Sequence, residues 1–193
     1  MTIANPDYPV RLEIERPERL SRLLPFVKWL LAIPHFFALY LLGIIAYVVL
    51  VLSWFAVLIT GSYPRSLFDY LVGFERWRLR VGAYLLLQTD RYPPFALSDV
   101  GDYPVHLEVD YPERTARWRP LLSWLLVIPA FLAAAIISFI ACFAVFFAFF
   151  AILFTGRYPE GLFNTVLVAE RWSARTILYA VWMTGSYPPF VWA

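Results

Sequence analysis

Residues 35–60 read HFFALYLLGIIAYVVLVLSWFAVLIT, and residues 130–155 read AFLAAAIISFIACFAVFFAFFAILFT. Neither stretch contains Asp, Glu, Lys or Arg, and the charge-free runs extend from Trp29 to Pro64 and from Pro120 to Gly156. A helix needs about 20 apolar residues to cross roughly 30 Å of hydrocarbon. Each block therefore has room for one crossing and some more. Thr-Gly-x-Tyr-Pro closes both blocks, and Gly followed by Pro is a helix stop signal.

Outward from these blocks, the 193-residue chain is 61% hydrophobic, 19% aromatic and only 16% charged, with a mean hydropathy of +0.65. Soluble domains carry about 25% charged residues. A net charge of +2 gives nucleic-acid binding no electrostatic basis. The single cysteine, Cys142, lies inside the second block, which excludes an intrachain disulfide and reads as a small buried hydrophobe. The first 22 residues hold eight charges and no apolar core, so the first block is expected to serve as an uncleaved anchor.

Shifting the chain by 95 residues aligns Asp7–Ser98 with Asp102–Ala193 without a gap. Arg19 and Arg22 return as Arg114 and Arg117, and Thr60-Gly61 as Thr155-Gly156. Glu75-Arg76-Trp77 and Arg80 return as Glu170-Arg171-Trp172 and Arg175, and Tyr92-Pro93-Pro94-Phe95 as Tyr187-Pro188-Pro189-Phe190. The chain is a duplication, with a first repeat over 1–98 and a second over 99–193. Inside the apolar blocks little beyond hydrophobicity is shared, as expected where lipid tails are the neighbours.

Within one unit, Val10, Leu12 and Ile14 alternate with Arg11, Glu13 and Glu15, and Val105, Leu107 and Val109 alternate likewise. Period two predicts a short half-buried strand. Two such strands related by a pseudo-twofold axis could pair antiparallel. From Pro17 to the Pro34 break, Leu20, Leu23, Leu24, Val27, Leu30 and Leu31 at helical spacing predict an amphipathic interfacial helix. Residues 65–88 are helical in length, but Glu75, Arg76, Arg78 and Arg80 sit near the middle. Each such charge at the bilayer centre costs about 2.5–3.5 kcal/mol, favouring a surface-lying or partly immersed helix.

The expected fold is thus an all-α integral membrane protein. Its tandem units each hold a surface strand, an interfacial amphipathic helix, a transmembrane helix and a further amphipathic helix. Near-identical polar ends put both copies in one compartment, which favours an even number of crossings per copy. Either the apolar block folds into a hairpin or the Arg65 helix crosses back. A single crossing would give inverted repeats.

The strings Tyr8-Pro9-Val10-x-Leu12, Glu75-Arg76-Trp77-x-x-Arg80-Val81-x-Ala83-Tyr84 and Thr89-Asp90-x-Tyr92-Pro93-Pro94-Phe95 resemble the bacterial membrane family catalogued as domain of unknown function 4389. The second copy departs from them, with Ser173 for Arg78 and Gly185 for Asp90. The resemblance implies a multi-pass protein of the bacterial inner membrane and carries no activity, cofactor or ligand with it.

Catalytic motifs and clustered acid pairs are missing from the sequence, so a non-enzymatic role is expected. The leading expectation is a scaffold or accessory subunit, packing against other membrane subunits or a second copy and against lipids. The alternative is phospholipid or anion binding, with transport, at Glu75, Arg76, Trp77, Arg80, Glu170, Arg171, Trp172 and Arg175. Arginine forks bind phosphate bidentately, and indoles prefer the interface. The simpler role for the Glu-Arg pairs is an ion pair tying the copies together. A third possibility is a pigment- or haem-associated subunit using His35, although Ala130 at the equivalent position denies it a symmetric partner. His106 falls in a polar strand, and no metal or cofactor is expected. The two Tyr-Pro-Pro-Phe segments read as rigid turns packing an aromatic ring.

Overall fold

A computed structural model describes residues 8–189 and 191. Phe190 of the second Tyr-Pro-Pro-Phe segment lies outside the described residues. The protein is mostly helical. Each copy contributes one strand, β1 (Val10–Ile14) or β2 (Val105–Val109). In the first copy α1 (Lys28–Leu31), α2 (Ile33–Thr60) and α3 (Arg65–Leu85) follow β1. In the second, α4 (Arg119–Leu126), α5 (Ile128–Thr155) and α6 (Glu160–Ala180) follow β2.

The strands form one antiparallel pair, with Leu12 opposite Leu107 at its centre and Val10 opposite Val109 and Ile14 opposite Val105 at its ends. Leu12 and Leu107 are equivalent positions, so the register is self-complementary. Val10, Leu12, Ile14, Val105 and Leu107 point into the core, where period two places them. Each strand packs on the opposite copy's helix, β2 on α3 and β1 on α6. One hydrophobic cluster draws on both copies, including Leu12, Phe68, Leu79, Leu107, Phe163 and Leu178.

The apolar block is one unbroken 28-residue helix in both copies. At 1.5 Å per residue each runs for about 42 Å, and the hairpin expected as one alternative within the block is not formed. Both helices are long and apolar enough to cross a membrane, and only 17% and 28% of their most apolar windows are buried by the rest of the chain. The buried stripe of α5 is Ala130, Ala134, Ile137, Ala141, Ala144, Ala148 and Ile152, a spacing of three and four that lays small residues against α6. Its other faces, with Phe131, Phe139, Phe143, Phe147 and Phe154, are exposed.

The amphipathic helix expected from Pro17 does not form over that length. Residues 15–23 are irregular, and the first copy holds only a 3₁₀ turn over Leu24–Phe26 and the four-residue α1. The backbone there bonds outward rather than to itself. The Leu20 N–H donates to the Gly156 carbonyl at 2.8 Å and the Ser21 N–H to Asp90 at 2.5 Å. The expected break falls just before Pro34, which takes a first-turn position of α2.

Gly61 and Gly156 end α2 and α5 with φ of +72° and +69°, the left-handed cap that glycine adopts without a Cβ clash. The α3 and α6 ends are less conventional. Leu87 and Trp182, equivalent residues, take positive φ of 66° and 52°. The N–H groups of Gln88 and Met183 reach back to Ala83 and Leu178. These are Schellman ends built on bulky residues, whose burial in the core offsets a cost of about 1–2 kcal/mol.

Candidate functional site

Glu75 and Arg76 are neighbours in sequence, yet they serve different partners. Consecutive side chains on a helix diverge by about 100°. Glu75 accepts from Arg78 one turn on, at 2.5 and 2.7 Å. Arg76 instead donates through Nε to the Leu107 carbonyl at 2.9 Å. In the second copy Arg171 donates to the Leu12 carbonyl at 2.8 Å. The two arginines therefore clamp the central strand pair crosswise, each holding the other copy's strand. At the Glu-Arg-Trp segments the bond between copies is thus guanidinium to carbonyl rather than the expected Glu–Arg ion pair.

Arg80 is fully buried, donating to the Ala96 carbonyl at 3.2 Å and the Ser98 carbonyl at 2.8 Å, with Asp99 at 3.5 Å. It fastens the segment after Tyr-Pro-Pro-Phe along α3, where the Leu97 carbonyl rests on Gly73. Arg175, its equivalent, sits over the ring of Tyr8 with 4.9 Å to the centroid. Trp77 donates to His35 Nδ1 at 3.1 Å, and Trp172 to the Val191 carbonyl at 2.9 Å.

His35 is completely buried, with Phe95 stacked on it at 4.1 Å and Tyr92 at 4.8 Å. Phe95 thus packs as the rigid-turn reading expects. His106 faces Asp99 at 3.7 Å. No group of three His, Cys, Asp or Glu residues that could hold a metal ion occurs among the described residues.

The two departures of the second copy have physical consequences. Ser173 stands where Arg78 would be, so Glu170 has no guanidinium one turn on in its own helix. It is buried at the interface with α3, facing Gly82. It lines a cavity of about 240 Å³ with Arg78, Ser138, Cys142 and Ser173. Cys142 lies exposed on that wall rather than buried.

The Asp90-to-Gly185 change accompanies a moved cation. Lys28, buried, donates to the Thr89 carbonyl at 2.7 Å, pairs with Asp90 at 2.9 Å and sits 4.9 Å over the Tyr84 ring. In the second copy Ser123 replaces Lys28. Arg119, one turn earlier, donates to the Thr184 carbonyl at 2.5 Å and the Gly185 carbonyl at 3.2 Å, 4.8 Å from the Tyr179 ring. The same carbonyl and the same ring receive a cation from different rungs. A gapless comparison of the copies could not single out Arg119, because its equivalent is Leu24.

The family model described as "Domain of unknown function (DUF4389)" matches residues 22–96 and again 117–191. The chain belongs to the DUF4389 family, in two tandem copies. The DUF4389 matches hold α1 to α3 and α4 to α6, with the Glu-Arg-Trp and Tyr-Pro-Pro segments, while β1 and β2 precede them. No curated protein and no solved structure matches the chain.

Proposed function

We propose that the protein is a multi-pass protein of the bacterial inner membrane, acting without catalysis as a scaffold or accessory subunit of a larger membrane assembly. The observation that carries this reading is the contrast between its two kinds of surface. The Glu-Arg-Trp side chains are turned inward on strands, loops and rings of the same chain. The outer faces of α2 and α5 instead present Phe37, Tyr40, Ile44, Phe55, Phe139 and Phe147 along their length. Apolar faces of that size need lipid or protein to cover them.

Crosswise contacts support a pseudo-twofold relation between copies. The bond from Thr115 to the Gly61 carbonyl mirrors that from Leu20 to Gly156, and Tyr103 to Arg91 mirrors Tyr8 to Ser186. With α2 and α5 unbroken, an even number of crossings per copy requires α3 and α6 to return through the membrane with their charges covered by the chain. Gentle detergent extraction followed by mass measurement tests the assembly. Co-purifying subunits or a defined oligomer are expected; a strictly monomeric, partner-free particle argues against it.

Phospholipid or anion binding is a second reading. At Glu75, Arg76, Trp77, Arg80 and their equivalents it would compete with the internal bonds, and arginines elsewhere in the chain favour it more. A pigment- or haem-associated role would require Phe95 to leave the face of His35.

A further inference from the structure

The side chains of five arginines, Arg19, Arg22, Arg114, Arg117 and Arg157, have no hydrogen-bond or ion-pair partner among the described residues. Every other Lys or Arg of the chain meets a carboxylate, a carbonyl or an aromatic ring. All five line two pockets that are equivalent under the 95-residue shift. One, of about 380 Å³, joins Arg19 and Arg22 to Thr155, Gly156 and Arg157. The other, of about 460 Å³, joins Arg114 and Arg117 to Thr60, Gly61 and Ser62.

Each pocket is built between the copies. The cap glycine of one copy accepts a backbone bond from the other, Gly156 from Leu20 at 2.8 Å and Gly61 from Thr115 at 2.9 Å. These bonds satisfy a carbonyl at the negative end of α5 and of α2. The arginines then lie across the glycines. A Cβ on Gly156 would stand 3.6 Å from Arg22 Nε, and one on Gly61 3.4 Å from Arg117 Cγ and Nε. Glycine is required for the left-handed cap, and the arginine side chain lies within ordinary contact distance of it. Glu18 and Glu113, adjacent in sequence, form no ion pair with these arginines, and Glu160 is engaged by Arg16 at 3.6 Å.

The pockets sit where the apolar helices end, and Ile59 and Phe154 are still exposed one residue before the closing threonines. If α2 and α5 lie in the bilayer, as proposed above, this is headgroup depth. Converging guanidinium forks free of carboxylates match the oxygens of a phosphate. We propose that the two pockets bind phosphate, one group each, carried by an anionic lipid headgroup or by a free anion. The pocket with Arg157 holds three arginines where its twin has two and Ser62, so it binds more tightly.

The test uses the full chain, purified in detergent, with native mass spectrometry after adding phosphatidylglycerol or phosphatidylcholine, and titration with inorganic phosphate. The parent should retain two phosphatidylglycerols and little phosphatidylcholine. Arg19→Gln/Arg22→Gln/Arg157→Gln should lose the tighter one, and Arg114→Gln/Arg117→Gln the weaker. Arg91→Gln, at an arginine paired with Asp102, should keep both. Displacement of the lipid by inorganic phosphate, or phosphate binding alone, assigns the pockets to a free anion; retention against it assigns them to the headgroup. Equal lipid retention in the parent and in a variant lacking all five arginines, with no phosphate bound by either, overturns the proposal. Single Arg22→Gln and Arg117→Gln variants give the same reading should a combined variant fail to fold. Carbonate extraction of membranes tests embedding separately. A parent protein released by carbonate refutes the membrane reading, while phosphate titration still decides the pockets.

Discussion

Glu170 of α6 faces Gly82 of α3 across the copy interface, with Oε1 3.6 Å from where a Cβ on that glycine would stand. A Cβ there meets only ordinary contact, so Gly82→Ala should be tolerated, whereas Gly82→Leu should overpack the interface at a cost of about 1–3 kcal/mol. Thermal unfolding of the two variants in the same detergent measures the difference, and equal midpoints would refute this packing.

Arg171→Met and Arg76→Met each remove a clamp on the central strand pair. A hydrogen bond to a charged donor contributes about 1.5–3 kcal/mol. The Arg171 change should cost more, because Arg171 is buried whereas Arg76 is half-buried. Chemical denaturation of both variants checks the order, and amide exchange at β1 and β2 should accelerate in both.

Lys28→Ser should destabilise the first copy by leaving Asp90 and the Thr89 carbonyl without their cation. Adding Leu24→Arg and Asp90→Gly rebuilds the arrangement of the second copy. The triple variant should recover about 1–3 kcal/mol over Lys28→Ser alone. A triple variant no more stable than the single one would mean that the two cation positions are not interchangeable.

Gly73→Ala would place a Cβ 2.8 Å from the Leu97 carbonyl, whereas one on Gly101 would meet nothing within 4 Å. The first change should push the 92–98 segment off α3 and expose it to limited proteolysis. Gly101→Ala should leave the digestion pattern unaltered.

Ala144→Leu, on the buried stripe of α5, should cost about 1–3 kcal/mol through overpacking against α6. Phe143→Leu, on the exposed face, should cost little in a membrane-like solvent. Thermal midpoints of the two variants in the same detergent compare them directly.

The elements near the apolar blocks were the most legible. The Thr60 and Thr155 helix ends, the strand alternation and the duplication could be read from local pattern alone, because each depends on neighbours within a few residues or on exact recurrence. The helix expected from Pro17 failed because its backbone donors are taken by Gly156 and Asp90, partners 136 and 69 residues away. The Glu-Arg-Trp segments stand out in the sequence, but the partners of their side chains, the Leu107 and Leu12 carbonyls, do not. Sequence proximity suggested a joint site, and helical geometry sends adjacent side chains apart. Arg19, Arg22, Arg114 and Arg117 are visible in the sequence as recurring residues of the expected interfacial helix, not as members of a site. Their pockets exist only where one copy's arginines meet the other copy's glycine turn.

The sequence by itself determined a duplicated chain of mostly helical units around two charge-free blocks, since hydropathy, length and repetition are properties of the chain in order. Tertiary structure alone decided which charges are spent and which are left open. Crossing of the strands to the opposite copy hands Arg76 and Arg171 their carbonyls, and Arg119 takes over from an absent lysine. The same crossing gathers the unpartnered arginines at the two helix ends, because electrostatic pairing depends on distance through space rather than along the chain.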